Sequence, residues 1–379
     1  MPTPRCYCCA TSATLRRGTP PTSPDTASLG GTDVRDRRPS LNDVARNAGV
    51  SVSTVSRYLK GQLRLRPDTE SKVLQSMEAM GYEPQPNASR AASTAAVGNV
   101  IGLVIPEVGN TYFSRIANAV VVAAEGSGYS VLVTSTSNNP RKQLDYVELL
   151  AALDVAGIIY AGNYASNAAL AAAVSSGVQV VVLDEQLSGI PPVDAVLVDD
   201  YAGAYQAATY LLSLGHENIA LVTGPTDLRS VKERTRGWGD ALARAGLSPD
   251  GQLQLHGTFS EEFGAAALSH LLASGRGPTA VFAASDVIAL GIMSAARRMG
   301  IEIPTELSVV GFDDVPAASL VTPRLTTVRT PLDQMADTAV HMLVDRLDGH
   351  RTDVRTVTTS VSLVVGGTTA PAAVPAVAT

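Results

Sequence analysis

From about residue 98 onward, apolar and polar positions alternate in blocks. Short runs rich in Val and Ile stand at Val100–Ile105, Tyr129–Thr134, Val155–Tyr160, Val178–Leu183 and Ala195–Val198. A second set follows at Ile219–Thr223, Leu253–His256, Ala280–Ala283 and Leu307–Gly311. Amphipathic stretches of helical length, such as Tyr112–Gly126 and Ala202–Leu214, separate most of them. Strands that are apolar throughout are buried on both faces, so this alternation predicts parallel sheets covered by helices. Nine such strands are many for one open sheet. Two doubly wound parallel sheets are expected, with a boundary near Asp199–Gly203 where the pattern restarts. Ligands of such folds bind beyond the carboxyl ends of the strands. Two sheets facing each other leave a cleft suited to a small molecule.

The pattern before residue 98 has the helical period. In Leu41–Lys60, Val44, Ala45 and Ala48 form an apolar stripe, Gly49 and Val50 make a corner, and Ser51 suits the cap of a second helix with Val55 and Leu59 inside. Val52, Ser53, Ser56 and Arg57 then fall on the outer face. A third helix is predicted over Pro67–Met80, with Val73, Leu74, Met77 and Met80 inward and Pro67 in the first turn, where its missing N–H costs nothing. This is the pattern of a helix-turn-helix, which lays its second helix in the DNA major groove. Small residues allow close approach to base edges, and an Arg can grip guanine with two hydrogen bonds. Two short helices joined at Gly are also ordinary packing in many domains.

Length and charge sharpen the division. At 379 residues the chain is too long for one typical domain. Five parts are expected: a disordered tail over 1–39, a helical headpiece over 40–83, a linker over 84–97, an α/β body over 98–368 and a loose end over 369–379. Lys and Arg exceed Asp and Glu by three in residues 1–38 and by two in 39–94, whereas 95–379 carries −11, for a net charge of −6. A mildly basic front on an acidic body suits a DNA-contacting headpiece. The three cysteines, Cys6, Cys8 and Cys9, lie in the tail without zinc-finger spacing, and the five His residues are scattered, so no metal and no cofactor is expected. The tail reads either as a real disordered segment or as a coding sequence begun too early. No apolar run of about 18 residues and no signal-peptide core appears, giving the expectation of a cytoplasmic protein without a membrane partner.

The separated segments LNDVARNAGVSVSTVSR, GYEP, IGLVIPEVGNTYF, LGHENIALVTGP, ERTRGW, AVFAASDVIALG, ELSVVGFDDVP and PRLTTVRTP, in this order, resemble the LacI/GalR family of bacterial transcription repressors over Ser40 to Thr368. The resemblance implies an all-α headpiece on a core of two subdomains like the periplasmic sugar-binding proteins. It also implies a homodimer that reads a near-palindromic operator in double-stranded DNA, and repression of carbohydrate-related genes under control of a sugar, sugar derivative or nucleoside. Whether that effector induces or corepresses stays open.

Carried over by position, Val52, Ser53 and Arg57 match base-reading residues. Ser51, Thr54 and Ser56 match phosphate contacts, which set register; Ser51 also suits simple capping, and Thr54 suits partial burial. Ser40 and Asn42 fall near the DNA backbone. In the family's hinge, a Leu after Tyr-x-Pro wedges into the minor groove. Here that position is Ala91, with Ser89 where an Arg is usual and Arg90 next to it. Weaker kinking is therefore expected, or a hinge shifted by one residue with Arg90 as the main contact; a plain flexible linker is the alternative.

The same resemblance places Asn110, Tyr112, Phe113, Asp184, Arg234, Trp238, Ser285, Asp286 and Asp313 at the effector cleft. An aromatic stacks on a sugar ring, Arg234 forks onto hydroxyls or a carboxylate, and Asp313 accepts hydroxyls. The alternatives are that Asp184 and Asp313 cap helices and that Arg234 sits in a structural ion pair. An enzyme is disfavoured because no G-x-G-x-x-G follows the first strand and no P-loop, H-E-x-x-H or G-x-S-x-G occurs. A sugar-binding protein without a DNA role is disfavoured by the attached helix-turn-helix. The Ala/Pro/Thr-rich end forms no Leu heptad, so a dimer through helices such as Tyr112–Gly126 and Val287–Met299 is expected.

Overall fold

The computed structural model describes residues 40–59, 63, 65–80, 82, 99–164 and 166–372, with only the backbone of Asn42, Ser53, Ser56, Arg57 and Leu59. The chain divides into one unit ending at Ala92 and another beginning at Ser93. The tail with its cysteines and the linker with Arg90 and Ala91 lie outside the described residues.

The first unit contains α1 (Leu41–Ala48), α2 (Val52–Leu59) and α3 (Pro67–Met80). Gly49 ends α1 at φ 68, a left-handed conformation that glycine adopts without strain, and turns the chain into α2. Val44, Ala45, Ala48, Val55, Val73 and Met77 form the core. Leu74, expected inside, is 49% exposed. The inward positions of α3 run Val73, Ser76 and Met77, then Met80; Leu74 falls one step past this stripe, at 100° per residue. Ser76 donates its hydroxyl to the Val44 carbonyl, and Tyr58 donates to Glu70, tying α3 to α1 and to α2.

The second unit begins with β1 (Val100–Ile105), α4 (Thr111–Gly126), β2 (Ser130–Ser135), α5 (Pro140–Ala152), β3 (Gly157–Tyr160), α6 (Ala168–Ser175), β4 (Val180–Asp184) and β5 (Asp194–Val198). It continues through α7 (Asp200–Ser213), β6 (Ile219–Thr223), α8 (Arg229–Arg244), β7 (Gln254–His256), α9 (Glu261–Ala273), β8 (Ala280–Ala283), α10 (Asp286–Met299), β9 (Ser308–Asp313), α11 (Pro316–Leu320) and β10 (Thr326–Arg329). It closes with α12 (Leu332–Leu347), β11 (Thr356–Thr359) and β12 (Ser362–Val364). All nine expected strands form, each within two residues of its apolar run.

Two six-stranded sheets result, ordered β11-β5-β4-β3-β1-β2 and β12-β10-β9-β8-β6-β7. Every pairing is parallel except β10 with β12. Both lobes thus repeat one doubly wound order. The restart near Asp199–Gly203 is the first of three crossings between lobes. After β10 the chain returns at Thr330–Pro331, because α12 packs on β3, β4, β5 and α4 of the first lobe. After β11 it crosses again at Ser360–Val361 to place β12 in the second sheet. Helices α7 and α8 approach most closely at Gly237, where a Cβ would lie 2.3 Å from the Tyr201 carbonyl oxygen.

Candidate functional site

In the first unit, the N-terminus of α2 is built by short-range chemistry. The Ser51 hydroxyl oxygen accepts the Thr54 amide at 3.1 Å and lies 2.7 Å from the Thr54 hydroxyl. Ser40 makes the corresponding start of α1, its amide and hydroxyl both donating to Asp43, at 2.9 and 2.6 Å. Val55 is buried, and Val52 is 40% exposed at the first turn. Thr54 is half-buried. The side chains of Asn42, Ser53, Ser56 and Arg57 lie outside the description, as do Arg90 and Ala91.

In the second unit a cleft is lined by Asn110, Thr111, Tyr112, Phe113, Asp184, Ser230, Arg234, Phe259, Ser285, Val287, Asp313 and Val315. It lies at the carboxyl ends of β4 and β9, which Asp184 and Asp313 terminate. Both residues hold left-handed backbone, φ 77 and φ 111. Such strain persists only where surrounding structure enforces it, and it concentrates at functional sites. Neither carboxylate caps a helix. Asp184 accepts the Tyr112 hydroxyl at 2.5 Å. Although part of its surface reaches the cleft, burial above all pushes its carboxyl up to about 6, against the Tyr112 hydrogen bond. Burial, then the Asp184 and Asp313 charges, hold the Tyr112 hydroxyl well above its usual value. The Tyr112 ring meets Phe113 edge-on at 5.2 Å.

Arg234 is buried and already engaged. Its Nε donates to Asp200 at 2.8 Å, its Nη1 donates to the Ala284 carbonyl, and its guanidinium lies 3.8 Å from the Phe312 ring centroid. Burial opposes its charge, but the Asp200, Asp313 and Asp184 carboxylates outweigh that and keep it protonated. Asp313 Oδ1 stands 3.8 Å from Arg234 Nη1 and, though buried, accepts no hydrogen bond. Burial raises the Asp313 carboxyl strongly in spite of Arg234.

Two expected lining residues lie elsewhere. Trp238 is fully buried in the core: it is four residues, rather more than one turn, beyond Arg234 on α8, and the turn carries it inward. Asp286 is also fully buried, its carboxylate accepting the Val315 amide at 2.8 Å and the Thr327 hydroxyl at 2.5 Å. It braces the loop that follows Asp313 from behind. Asn110 and Ser285 do line the cleft, and each also caps a helix, through the amides of Tyr112 and Ile288.

Glu185 escaped sequence reasoning. It follows β4 in the first lobe, and its buried carboxylate accepts the Arg229 amide at 2.9 Å, the Ser230 amide at 3.2 Å and the Ser230 hydroxyl at 2.7 Å. These donors open α8 in the second lobe, whose own N-cap, Leu228, supplies no side-chain acceptor. A carboxylate at a helix N-terminus meets both unpaired N–H groups and the positive end of the dipole. Arg115 adds a second bridge across the cleft, donating to the Asp314 carbonyl at 3.2 Å. Glu185 stands beside a recognisable strand-ending Asp, but nothing local signals a partner more than forty residues away.

No group of acidic, His or Cys residues among the described residues is arranged to hold a metal, and none of their helices is long and apolar enough to cross a membrane.

Comparison with known proteins adds to this geometry. Residues 40–85 match the domain described as bacterial regulatory proteins, lacI family, and residues 208–369 match the periplasmic binding protein-like domain. The HTH-type transcriptional regulator DegA of Bacillus subtilis (strain 168) is 36% identical over 298 residues, covering 78% of this chain and 88% of DegA. A lac repressor dimer bound to operator and the anti-inducer ONPF is similar with a TM-score of 0.70 and 28% identity, covering 88% of this chain and all of that one. A complex of the transcriptional regulator CelR with cellobiose is similar at a TM-score of 0.67 and 28% identity, covering 87% of this chain and all of CelR. Each of these is a transcription regulator and none is an enzyme.

Proposed function

The chain belongs to the lacI family of bacterial regulatory proteins, DNA-binding transcription regulators rather than enzymes, and from that premise we propose that it is a ligand-controlled repressor of carbohydrate-related genes. What carries the reading is one conjunction: a helix-turn-helix, in a chain whose body holds a cleft walled by aromatic rings and fixed carboxylates. Aromatic faces take the apolar side of a sugar ring, and Asp184 and Asp313 take hydroxyls. The cellobiose bound by a relative of the same fold supports a sugar as the ligand.

On this reading α2 enters the major groove. Val52, Ser53 and Arg57 read bases there, with Ser40, Asn42, Ser51, Thr54 and Ser56 on the phosphates. Val52, exposed at the first turn, suits apolar contact with a thymine methyl. Arg90 and Ala91 accompany the minor groove with little kinking, since Ala offers no wedge. Two copies pair side by side through α4 and α10, where Val122 and Met299 are each more than half exposed, and present two headpieces to a near-palindromic operator. Cleft occupancy and operator affinity are coupled reciprocally.

The test is selection of duplexes from a random pool by the full-length protein, repeated with saturating sugars and nucleosides. One enriched inverted repeat, with affinity changed by at least one of these metabolites, is expected. No enrichment over random competitor under any condition refutes the reading.

A further inference from the structure

Glu185 stands where movement between the lobes is felt at once. Two of the three crossings between the lobes leave the ends of β5 and β11, adjacent strands at one edge of the first sheet. Rotation of one lobe against the other therefore has its shortest lever arm near that edge. β4 lies next to β5, which puts the strand that Glu185 follows about 5 Å, one strand spacing, from it. The Glu185 carboxylate is buried and takes the Arg229 amide, the Ser230 amide and the Ser230 hydroxyl of the second lobe at 2.9, 3.2 and 2.7 Å. A hydrogen bond fails beyond about 3.5 Å, so a displacement of under about 1 Å parts them. The three share one acceptor group and break together. Arg229 adds a hold at the edge itself, its Nη2 donating to the Val198 carbonyl at 3.4 Å while its Nη1 donates to Asp200. The bridge from Arg115 to the Asp314 carbonyl is of another kind. It starts from the helix after β1, three strands from β5, is only part-buried and ends on a neutral acceptor.

We propose that Glu185 is the closure latch of the cleft: open and closed forms interconvert by breaking and making its three bonds to α8, and this one carboxylate sets the equilibrium between them. Closing brings a negative charge to unpaired N–H groups at the positive end of a helix. Opening returns both to water and leaves an α8 terminus whose N-cap, Leu228, has no side-chain acceptor. The bonds join protein groups alone, so they act whatever the cleft binds. A ligand then biases an equilibrium that Glu185 has already set, and only through its differential affinity for the two forms. Ser230 and Arg234 line the cleft from the same helix, so release of the latch also displaces part of the wall.

The test traps the open form chemically and needs no ligand. Val315 lines the cleft at 4% exposure, and Val315→Cys keeps the backbone amide that Asp286 holds. In the full-length chain with Cys6→Ser, Cys8→Ser and Cys9→Ser, this is the sole thiol. Its rate of modification by a bulky maleimide reports how often the cleft opens. Rates taken across low urea concentrations separate partial opening, with a shallow dependence, from global unfolding, with the full slope. Adding Glu185→Gln is expected to raise the rate about tenfold or more with a shallow dependence, and Arg115→Ala by a smaller factor. An unchanged rate, or a rise that carries the full unfolding slope, overturns the proposal, because Glu185 then stabilises the fold without governing closure. Equal acceleration by Arg115→Ala overturns it as well, since closure then belongs to the lobe contact as a whole. So does a thiol that reacts at the rate of an exposed one while Glu185 is intact.

Discussion

Replacing Glu185 by Ala tests the bridge between the lobes. The side chain accepts three hydrogen bonds from the first turn of α8, and the carboxylate is buried. A hydrogen bond to a charged group contributes about 1.5–3 kcal/mol, and bonds sharing one acceptor group do not add fully. Removing the carboxylate leaves two backbone N–H groups without an acceptor at a helix end whose N-cap, Leu228, supplies none. Arg229 keeps a quarter of its side-chain surface in solvent, so water reaches part of the gap. The expected loss is about 3–5 kcal/mol for Glu185→Ala, and about 1–2 kcal/mol for Glu185→Gln, which keeps one acceptor oxygen but loses the charge at the helix dipole. Urea unfolding of the full-length protein, followed by fluorescence, reads this directly. The chain has one tryptophan, Trp238, which lies on α8 itself. The wild-type slope must be retained for the midpoints to be compared. A loss below about 1 kcal/mol for the Ala variant would refute the reasoning, because a capped exposed helix end costs that much.

Further tests address the other parts. Arg57→Ala should weaken operator binding by about 1–3 kcal/mol and relax preference at one base pair; an unchanged sequence profile in duplex selection contradicts base reading by this residue. Asp194 is fully buried and takes hydrogen bonds from Arg346, Arg351 and the Arg355 amide. Burial works to raise its carboxyl, but these bonds outweigh it and hold it below the usual value. Its stabilisation is therefore present above about pH 4 and lost as pH falls through the lowered folded value. Asp194→Asn should cost about 3–5 kcal/mol at neutral pH, with the gap to wild type narrowing as pH falls below about 4; a gap that holds constant in acid argues against the assignment. Gly237→Ala, with its Cβ against the Tyr201 carbonyl, should cost at least about 1–3 kcal/mol by forcing α7 and α8 apart, measured by the same unfolding; a neutral effect refutes the close approach.

The amino-acid sequence by itself determined what local periodicity and capping chemistry control. The 3.6-residue stripe and Gly49 delimit the three helices of the headpiece, and short, mostly apolar runs mark nine parallel strands. In the candidate site, Asp184 was legible as a strand-ending carboxylate, Asp313 only through the family resemblance, and Tyr112 and Phe113 as the start of a helix after the first strand. Periodicity states which face of an element is buried, not what buries it. The Thr-rich strands β10 and β11 and the three-residue β12 offer too little apolar contrast to be read, and the return of α12 to the first lobe depends on packing between distant segments. The same limit governed the site. Trp238 and Asp286 are near the cleft in sequence, yet a helical turn and a pair of hydrogen bonds place them behind its wall. Arg234 lines the cleft, and the Asp200 and Ala284 partners that hold its Nε and Nη1 are brought to it only by the fold. Glu185 acquired its partners only when β4 and α8 met across the lobes. Long-range pairing decides which charged groups find partners within the protein, and only the folded chain carries out that pairing.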